Sequence, residues 1–304
     1  MSPCPFCECT DYKKSYLPST YFHNKRFDVV ECRRCGLQYL FPFPSLDDYI
    51  AMYPPSYQEG VDKTILKNLS EKLPGLRYSY QYKINLIQRF VGDLSRITLL
   101  DYGCGNANFV VNLNHYGIRC DGTEFNSLHV KILREAIPES NFYTIDDFLA
   151  EKTPKYDVIH LSNVLEHLDK PFEIVQKIVS RLNPNGILLV EGPLEDNFSF
   201  AFLTRKWYFN LRNLLQPSWV ACHVPTHIFF SNYKNQRNFF RRIHGLQELH
   251  YEAKEEPWPY PEFKEQAKNA VDKIKYYIGQ FSKKISMLNS TWGNTFIYVG
   301  RKTT

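Results

Sequence analysis

Two glycines and an acid in the middle of the chain have the spacing of a nucleotide-type ligand site. An apolar run over 97–100 predicts a buried strand, Gly103 and Gly105 predict a tight turn, and Glu124 ends a second short strand. Between them, apolar residues recur at helical spacing over 109–116. Glycine lets the backbone approach a ligand closely, and an acid at the second strand tip can accept ribose hydroxyls. This order therefore predicts a βαβ unit that binds a nucleotide-like ligand.

Four of the eight cysteines form two C-x-x-C pairs, Cys4 with Cys7 and Cys32 with Cys35. Each pair can form a knuckle whose thiolates point at one ion, and two knuckles complete a tetrahedral zinc site. Such a closed site leaves no coordination position open for catalysis. The spacing therefore predicts a structural Zn²⁺, with short strands between the two pairs.

The glycine turn resembles the binding loop of class I S-adenosylmethionine (SAM) methyltransferases, in which an acid precedes x-Gly-x-Gly-x-Gly. Asp101 stands at the acid position, and Ala107 replaces the third glycine. That position chiefly sets the packing of helix on strand, and related fingerprints tolerate alanine there. The resemblance therefore implies that SAM is the ligand.

Further segments resemble one large group of these enzymes, over roughly residues 78–304 with an interruption near 254–292. The stretch 165–171 resembles its L-E-H-L-x-x-P sequence, 181–186 its L-x-P-x-G turn, and 207–231 its W…P-x-H-x-x-x-F-S segment. In this group a zinc-ribbon head precedes the methyltransferase domain. The resemblance implies an α/β, Rossmann-like fold with a seven-stranded sheet and helices on both faces, plus a small N-terminal zinc ribbon.

The resemblance also implies a domain organisation and a set of SAM contacts. We predict a zinc-ribbon module and connector over 1–57, followed by a methyltransferase domain over 58–304 with a helical insertion near 254–292. The amino group of SAM is assigned to Asp101, the methionine moiety to the two glycines, the ribose to Glu124, and the adenine to Asp146 or Asp147 with Phe148. The complete predicted set is Asp101, Gly103, Cys104, Gly105, Glu124, Phe125, Asp146, Asp147, Phe148, Ser162 and Asn163.

Four residues are candidates for the proton transfer that accompanies methylation: Glu166, His167, His223 and His227. If a helix begins at Asn163, then Asn163, Glu166 and His167 share one face at the tip of the fourth strand. The segment that carries the two later histidines is expected to cover that tip. Such a cluster can remove a proton from an acceptor hydroxyl, or hold a divalent ion that lowers the pKa of the hydroxyl. We favour a histidine base, with His227 ahead of His167.

The ribbon-headed group is common in bacterial sugar, polysaccharide and natural-product pathways, so the resemblance favours a small-molecule or glycan acceptor and O-methylation. The alternative is an RNA methyltransferase that holds its substrate with the ribbon and a basic helix. Against RNA, residues 162–165 lack the Asn/Asp-Pro-Pro-aromatic motif of enzymes that methylate exocyclic base amines. A third possibility is a SAM-binding domain without catalysis.

Composition sets broader bounds. The chain has 304 residues, 43% of them hydrophobic, and a net charge of +5, which does not by itself demand nucleic acid. No apolar run approaches the ~18 residues of a membrane span, and the first residues lack the basic and apolar regions of a signal peptide. We therefore expect a cytoplasmic protein with reduced thiols.

A long helix is predicted near the C-terminus, where apolar residues recur at three- and four-residue steps from Phe263 to Leu288. Lysines lie largely on its other faces. The simplest interpretation is an amphipathic insertion whose apolar face packs on the domain while its basic face is solvated. A lid, a dimer surface and an RNA-binding face are the alternatives.

Overall fold

The computed structural model describes residues 3–53, 78–217, 219–221, 223–257 and 259–303. The predicted boundary between the two domains, at 57/58, lies outside these residues, as do the Pro54-Pro55 link and Cys222.

Twelve strands and nine α-helices are present in the described part of the chain. The strands are β1 (Tyr12–Lys14), β2 (Thr20–Phe22), β3 (Lys25–Cys32), β4 (Gln38–Phe41), β5 (Leu99–Tyr102), β6 (Cys120–Glu124), β7 (Phe142–Thr144), β8 (Tyr156–Ser162), β9 (Leu182–Pro193), β10 (Phe229–Phe230), β11 (Leu246–Lys254) and β12 (Thr295–Lys302). The helices are α1 (Leu46–Met52), α2 (Tyr78–Val91), α3 (Asn108–His115), α4 (Ser127–Ala136), α5 (Ile145–Leu149), α6 (Pro171–Ser180), α7 (Phe200–Leu215), α8 (Tyr233–Arg241) and α9 (Ala270–Leu288).

Seven strands form the central sheet, in the order β11-β12-β9-β8-β5-β6-β7. The pairs from β9 to β7 are parallel, and β12 runs antiparallel between β9 and β11. Alternate residues of a strand point to opposite faces. Leu189 belongs to one buried cluster and Val190 to another, so both faces of the sheet are covered. This architecture confirms the predicted Rossmann-like fold.

The N-terminal strands form a second, antiparallel sheet in the order β1-β3-β4-β10, with β2 paired to β3. Its last strand, β10, comes from the later part of the chain and pairs with β4. A further bridge joins Thr20 to Ala221. The N-terminal module is therefore attached by backbone pairing to the segment that carries the predicted histidines.

Three local predictions need correction. Asn163 adopts a left-handed φ of 52°, so no helix begins there, and only a short 3₁₀ turn follows at Leu165–His167. The turn predicted over 181–186 forms, but it lies inside β9 rather than before the strand: the register with β8 shifts between Leu182 and Ile187, and Asn185 has a positive φ. Helix α9 begins at Ala270 rather than near Phe263, and its apolar stripe is exposed rather than packed on the domain.

Candidate active site

The glycine turn after β5 has the geometry of a loop built for close approach. Gly103 has a φ of +72°, and a Cβ placed on it would lie 2.7 Å from Cγ2 of Val164. The backbone N–H of Gly105 donates to Glu124 Oε2 at 3.0 Å, and that of Phe125 donates to Glu124 Oε1 at 2.8 Å. Glu124 therefore ties the turn to the tip of β6, with its carboxylate at the place predicted for a ribose.

Asp101 is buried beneath this loop at one end of a chain of charged groups. Its Oδ1 lies 2.7 Å from Nδ1 of His160, whose Nε2 lies 3.7 Å from Oε1 of Glu191. Glu191 also accepts the Ser162 hydroxyl at 2.6 Å and pairs with Lys83. Burial alone raises the pKa of Glu191, but the contacts with His160 and Lys83 outweigh it, so that pKa lies well below its ordinary value.

The three residues assigned to the adenine occupy different environments. Phe148 is fully buried and packs edge-on against Tyr102, with ring centroids 5.4 Å apart, so it has no exposed ring face for a ligand. Thr144 caps the start of α5 by accepting the backbone N–H of Asp147, and the Asp147 carboxylate accepts from the Thr144 hydroxyl and pairs with Lys152. Asp146 is exposed and the Asp147 side chain is 38% exposed, so a ligand can reach either carboxylate.

A cleft of about 1660 Å³ reaches the tips of β8 and β9. Its floor includes Ser162, Asn163 and Glu191, and its walls come from α7, α9 and the segment 223–230. Hydroxyl, amide and charged groups alternate with aromatic rings along these walls. Cys104 lies in the neighbouring loop, where its backbone N–H donates to the carbonyl of Thr123.

His227 stands in the wall of this cleft and is held by a carboxylate. Its Nδ1 is hydrogen-bonded to Oε1 of Glu195, and Arg205 lies 3.5 Å from the other oxygen of Glu195. Burial by itself lowers the pKa of His227, but the hydrogen bond and the charge of Glu195 outweigh it, so the net shift is upward. The hydrogen bond to Glu195 favours the imidazole tautomer that carries its proton on Nδ1, in which Nε2 is the unprotonated nitrogen.

Glu166 and His167 lie behind His227 rather than in the cleft wall. Nδ1 of His167 donates to the carbonyl of Thr226 at 2.7 Å, and its Nε2 lies 3.8 Å from Oε1 of Glu166. Burial lowers the pKa of His167 to about 4 and raises that of Glu166 to about 7. Ligand atoms of Glu166, His167 and His227 all lie within 4.8 Å of one another. The fourth candidate, His223, lines the cleft, and burial lowers its pKa.

The chain matches the profile of a family described as a methyltransferase domain, over residues 76–250. That match covers more than half of the chain. The protein belongs to this methyltransferase family. Together with the fold, the match makes the protein a SAM-dependent methyltransferase.

Curated relatives include O-methyltransferases and a carboxymethyltransferase. The methyltransferase is 25% identical to ubiquinone biosynthesis O-methyltransferase of Rickettsia bellii over 191 residues, which is 58% of this chain and 75% of that protein. It is 28% identical to the protein of the same name from Actinobacillus pleuropneumoniae over 116 residues, 35% of this chain and 50% of that one. It is also 23% identical to tRNA U34 carboxymethyltransferase of Campylobacter jejuni over 197 residues, 56% and 64% of the two chains.

A solved structure supports the fold of the methyltransferase. The complex between the Haloferax volcanii Trm112 methyltransferase activator and a methyltransferase matches with a TM-score of 0.51 and 15% identity, covering 82% of this chain and 97% of that chain. In the described residues, no helix is both long and apolar enough to cross a membrane.

The structure brings Cys4, Cys7, Cys32 and Cys35 into one cluster whose sulfurs all lie within 4.8 Å of one another. The Cys4–Cys35 and Cys7–Cys32 sulfur distances are 3.6 and 3.4 Å. Tetrahedral zinc with Zn–S bonds of about 2.3 Å sets its sulfurs roughly 3.8 Å apart. The cluster therefore fits one zinc ion.

The sequence reasoning missed Glu195, Glu191, His160 and Lys83. Two of them carried a visible signal: His160 interrupts the apolar run of β8, and Glu191 ends the apolar run of β9. A polar residue in a strand buried on both faces needs a partner, so such interruptions mark buried networks. Glu195 and Lys83 carried no local signal, because their partners are distant in sequence.

Proposed function

We propose that the methyltransferase transfers the methyl group of SAM to a hydroxyl of a small-molecule or glycan acceptor, in a cell-surface polysaccharide or natural-product pathway. The observation that carries this proposal is the position of His227. It lines a cleft that reaches Ser162 and Asn163 at the tip of β8, and its Nδ1 is held by Glu195. A hydroxyl must lose its proton as it attacks the methyl group, so a positioned base beside the SAM site suits an oxygen acceptor.

SAM would be held by the loop between β5 and α3 and by the tips of the neighbouring strands. The buried chain of Asp101, His160 and Glu191 fixes the orientation of the Asp101 carboxylate toward the ligand's amino group. SAM supplies an electrophilic methyl on a sulfonium. The protein's own work is to hold the acceptor oxygen in line, to exclude water and to receive one proton at His227.

The walls of the cleft suit a hydroxyl-rich acceptor. The polar residues that line the cleft include Ser199, Thr204, His223, Glu256 and Asn294. The rings of Phe200, Tyr208, Tyr260 and Phe281 line the same space. A mostly apolar site with a few placed polar groups is the usual form of a small-molecule site. The name of the Rickettsia relative, an O-methyltransferase, also favours oxygen over carbon or nitrogen.

Zinc would stabilise the N-terminal module that positions this wall. Phe6, between the first two cysteines, packs against Phe229 and Phe239 with ring centroids 4.8 and 4.6 Å apart. The Thr20 hydroxyl contacts the carbonyls of Ala221 and His223 at 3.1 and 2.9 Å. We therefore assign Zn²⁺ a structural role. It orders the surface on which residues 223–227 lie, which we call the histidine segment.

The second candidate is methylation of RNA, which the similarity to a tRNA carboxymethyltransferase favours. One experiment separates the two. The protein is incubated with methyl-labelled SAM and a cell extract, which is then resolved into RNA, glycan and small-molecule fractions. We expect base-stable label in a small-molecule or glycan fraction with the wild type and almost none with His227→Ala. Label confined to RNA would contradict the proposal and support the alternative.

A further inference from the structure

Helix α9 presents its apolar stripe to solvent. It docks on the domain through small residues: Gly279 lies against Tyr260, and the buried hydroxyl of Ser282 accepts the indole N–H of Trp292 at 2.9 Å. At 100° per residue, Ile274, Phe281 and Leu288 lie on the opposite side of the helix. Their exposed fractions are 60%, 58% and 92%. More than half of each of these three apolar side chains is therefore exposed to solvent.

Helix α7 exposes a second apolar surface next to the first. Trp207 and Leu214 are 68% and 77% exposed. The two helices meet where the rings of Phe200 and Phe281 stack with centroids 5.9 Å apart. Both helices line the cleft. The exposed apolar side chains, which we call the mouth surface, are Trp207, Leu211, Leu214, Leu215, Val271, Ile274, Tyr277, Ile278, Phe281, Met287 and Leu288.

The charges around the mouth surface are mainly positive. Helix α9 carries four exposed lysines, at positions 273, 275, 283 and 284, and a single acid, Asp272, whose backbone N–H is bonded by the capping Asn269. Helix α7 carries three basic residues and no acid. At 100° per residue, Lys273 and Lys284 lie away from the docking face and beside the apolar stripe of α9. Apolar side chains flanked by lysines are typical of helices that lie in the headgroup region of a membrane.

We propose that the mouth surface binds an anionic phospholipid bilayer, with the apolar side chains among the acyl-chain ends and the lysines at the phosphates. A second copy of this chain, packed through the same surface, would bring lysines of the two copies together in a desolvated interface. RNA would contact the lysines but would leave the apolar stripe without a partner. On the bilayer, the mouth of the cleft opens at the headgroups. There it can receive an amphiphilic acceptor without removing that acceptor from the lipid. The lipid contact itself does not depend on His227 or on the identity of the acceptor.

Vesicle co-sedimentation tests this directly, using phosphatidylcholine vesicles with and without phosphatidylglycerol. The wild type should bind the phosphatidylglycerol vesicles and release them at high salt, because lysine attraction to anionic lipid is screened. Ile274→Ser/Leu288→Ser should weaken binding about tenfold or more, since two aliphatic side chains leave the lipid interface. Lys273→Glu/Lys284→Glu should weaken binding and reduce its salt dependence. The matched control is Leu46→Ser/Ile50→Ser, which removes two exposed apolar residues from α1 and should bind as the wild type does.

Thermal denaturation and SAM titration of each variant show that the fold and the cofactor site are intact, so a failure of lipid binding is separate from a failure of the proposed function. Equal sedimentation of the wild type and the Ile274→Ser/Leu288→Ser variant would overturn the proposal. The proposal would also be overturned if the wild type is a dimer, this variant is a monomer, and neither of them binds vesicles. RNA binding that depends on the lysines but not on the apolar residues, with no lipid binding, would overturn it as well.

Discussion

At the scale of single residues, the pairing of His227 with Glu195 determines what the cleft can do. Glu195 keeps Nδ1 of His227 occupied and raises the pKa of the ring. His167 has the opposite character, because its pKa falls to about 4 and its Nδ1 is used by the Thr226 carbonyl. Of the two, His227 is the stronger base and the one that lines the cleft, which supports its proposed role.

We predict that Glu195→Gln shifts the pH dependence of turnover. A general base acts in its deprotonated form, so turnover should rise with pH through the raised pKa of His227. Removing the charge of Glu195 lowers that pKa and moves the rise to lower pH, although Glu166 still faces the ring. The plateau should fall roughly 10- to 100-fold, because the ring loses its fixed tautomer. The pH–rate profiles of the two proteins measure both effects, and an unshifted profile would show that His227 is not the titrating base.

We predict that Glu124→Ala weakens SAM binding. The variant removes the acceptor proposed for the ribose and two contacts that hold the loop, at Gly105 and Phe125. A hydrogen bond to a charged group contributes about 1.5–3 kcal/mol, so SAM affinity should fall about tenfold or more. Calorimetric titration measures the affinity, with the exposed Glu139→Ala as a matched control that should bind normally. Unchanged affinity in Glu124→Ala would refute the ribose assignment.

At the scale of elements, the N-terminal module and the histidine segment form one structure. Strand β10 directly follows the histidine segment and completes the module's sheet through β4. The hydroxyl of Tyr53 also lies 3.4 Å from Nδ1 of His167. We therefore expect the module to act on the cleft through the position of its wall.

Removing one cysteine ligand should lower the stability of the protein but leave its affinity for SAM nearly unchanged. We predict that Cys35→Ser loses zinc and lowers the melting temperature by about 5 °C or more, because a structural metal contributes folding free energy. SAM affinity should stay nearly unchanged while turnover falls, since the histidine segment loses its support. Cys9→Ser, which lies outside the cluster, is the control and should keep its zinc. Metal analysis that finds no zinc in the wild type, purified without chelator, would contradict the assignment.

Helices and strands were predicted best where the local spacing of apolar residues determines the secondary structure. Strands β5 and β6 and helix α3 lie close to where the local pattern predicted them, because buried strands need apolar runs and a helix that covers the sheet needs apolar residues at helical spacing. Two features were not predictable in this way. The pairing of β10 with β4 joins distant segments, and the outward stripe of α9 reverses the rule that apolar faces pack inward. Both depend on tertiary contacts that periodicity does not encode.

At the scale of the whole molecule, one apolar cluster joins the two predicted domains. It contains Phe6, Cys32 and Tyr39 of the N-terminal module together with Tyr102 and Phe239 of the methyltransferase part. We therefore predict one cooperative heat-capacity peak on thermal unfolding, which moves as a whole to lower temperature when zinc is chelated. Two separate peaks, of which only one responds to the chelator, would favour independent domains divided at 57/58.

The most direct test of the account is the turnover of His227→Ala on the acceptor that the labelling experiment identifies, with SAM affinity measured in parallel. The account predicts a loss of about 10²-fold or more in turnover, the usual contribution of a general base, with SAM affinity nearly unchanged. Near-normal turnover in both His227→Ala and His167→Ala would contradict it. In that case positioning of the acceptor alone, without a histidine base, would have to explain the transfer.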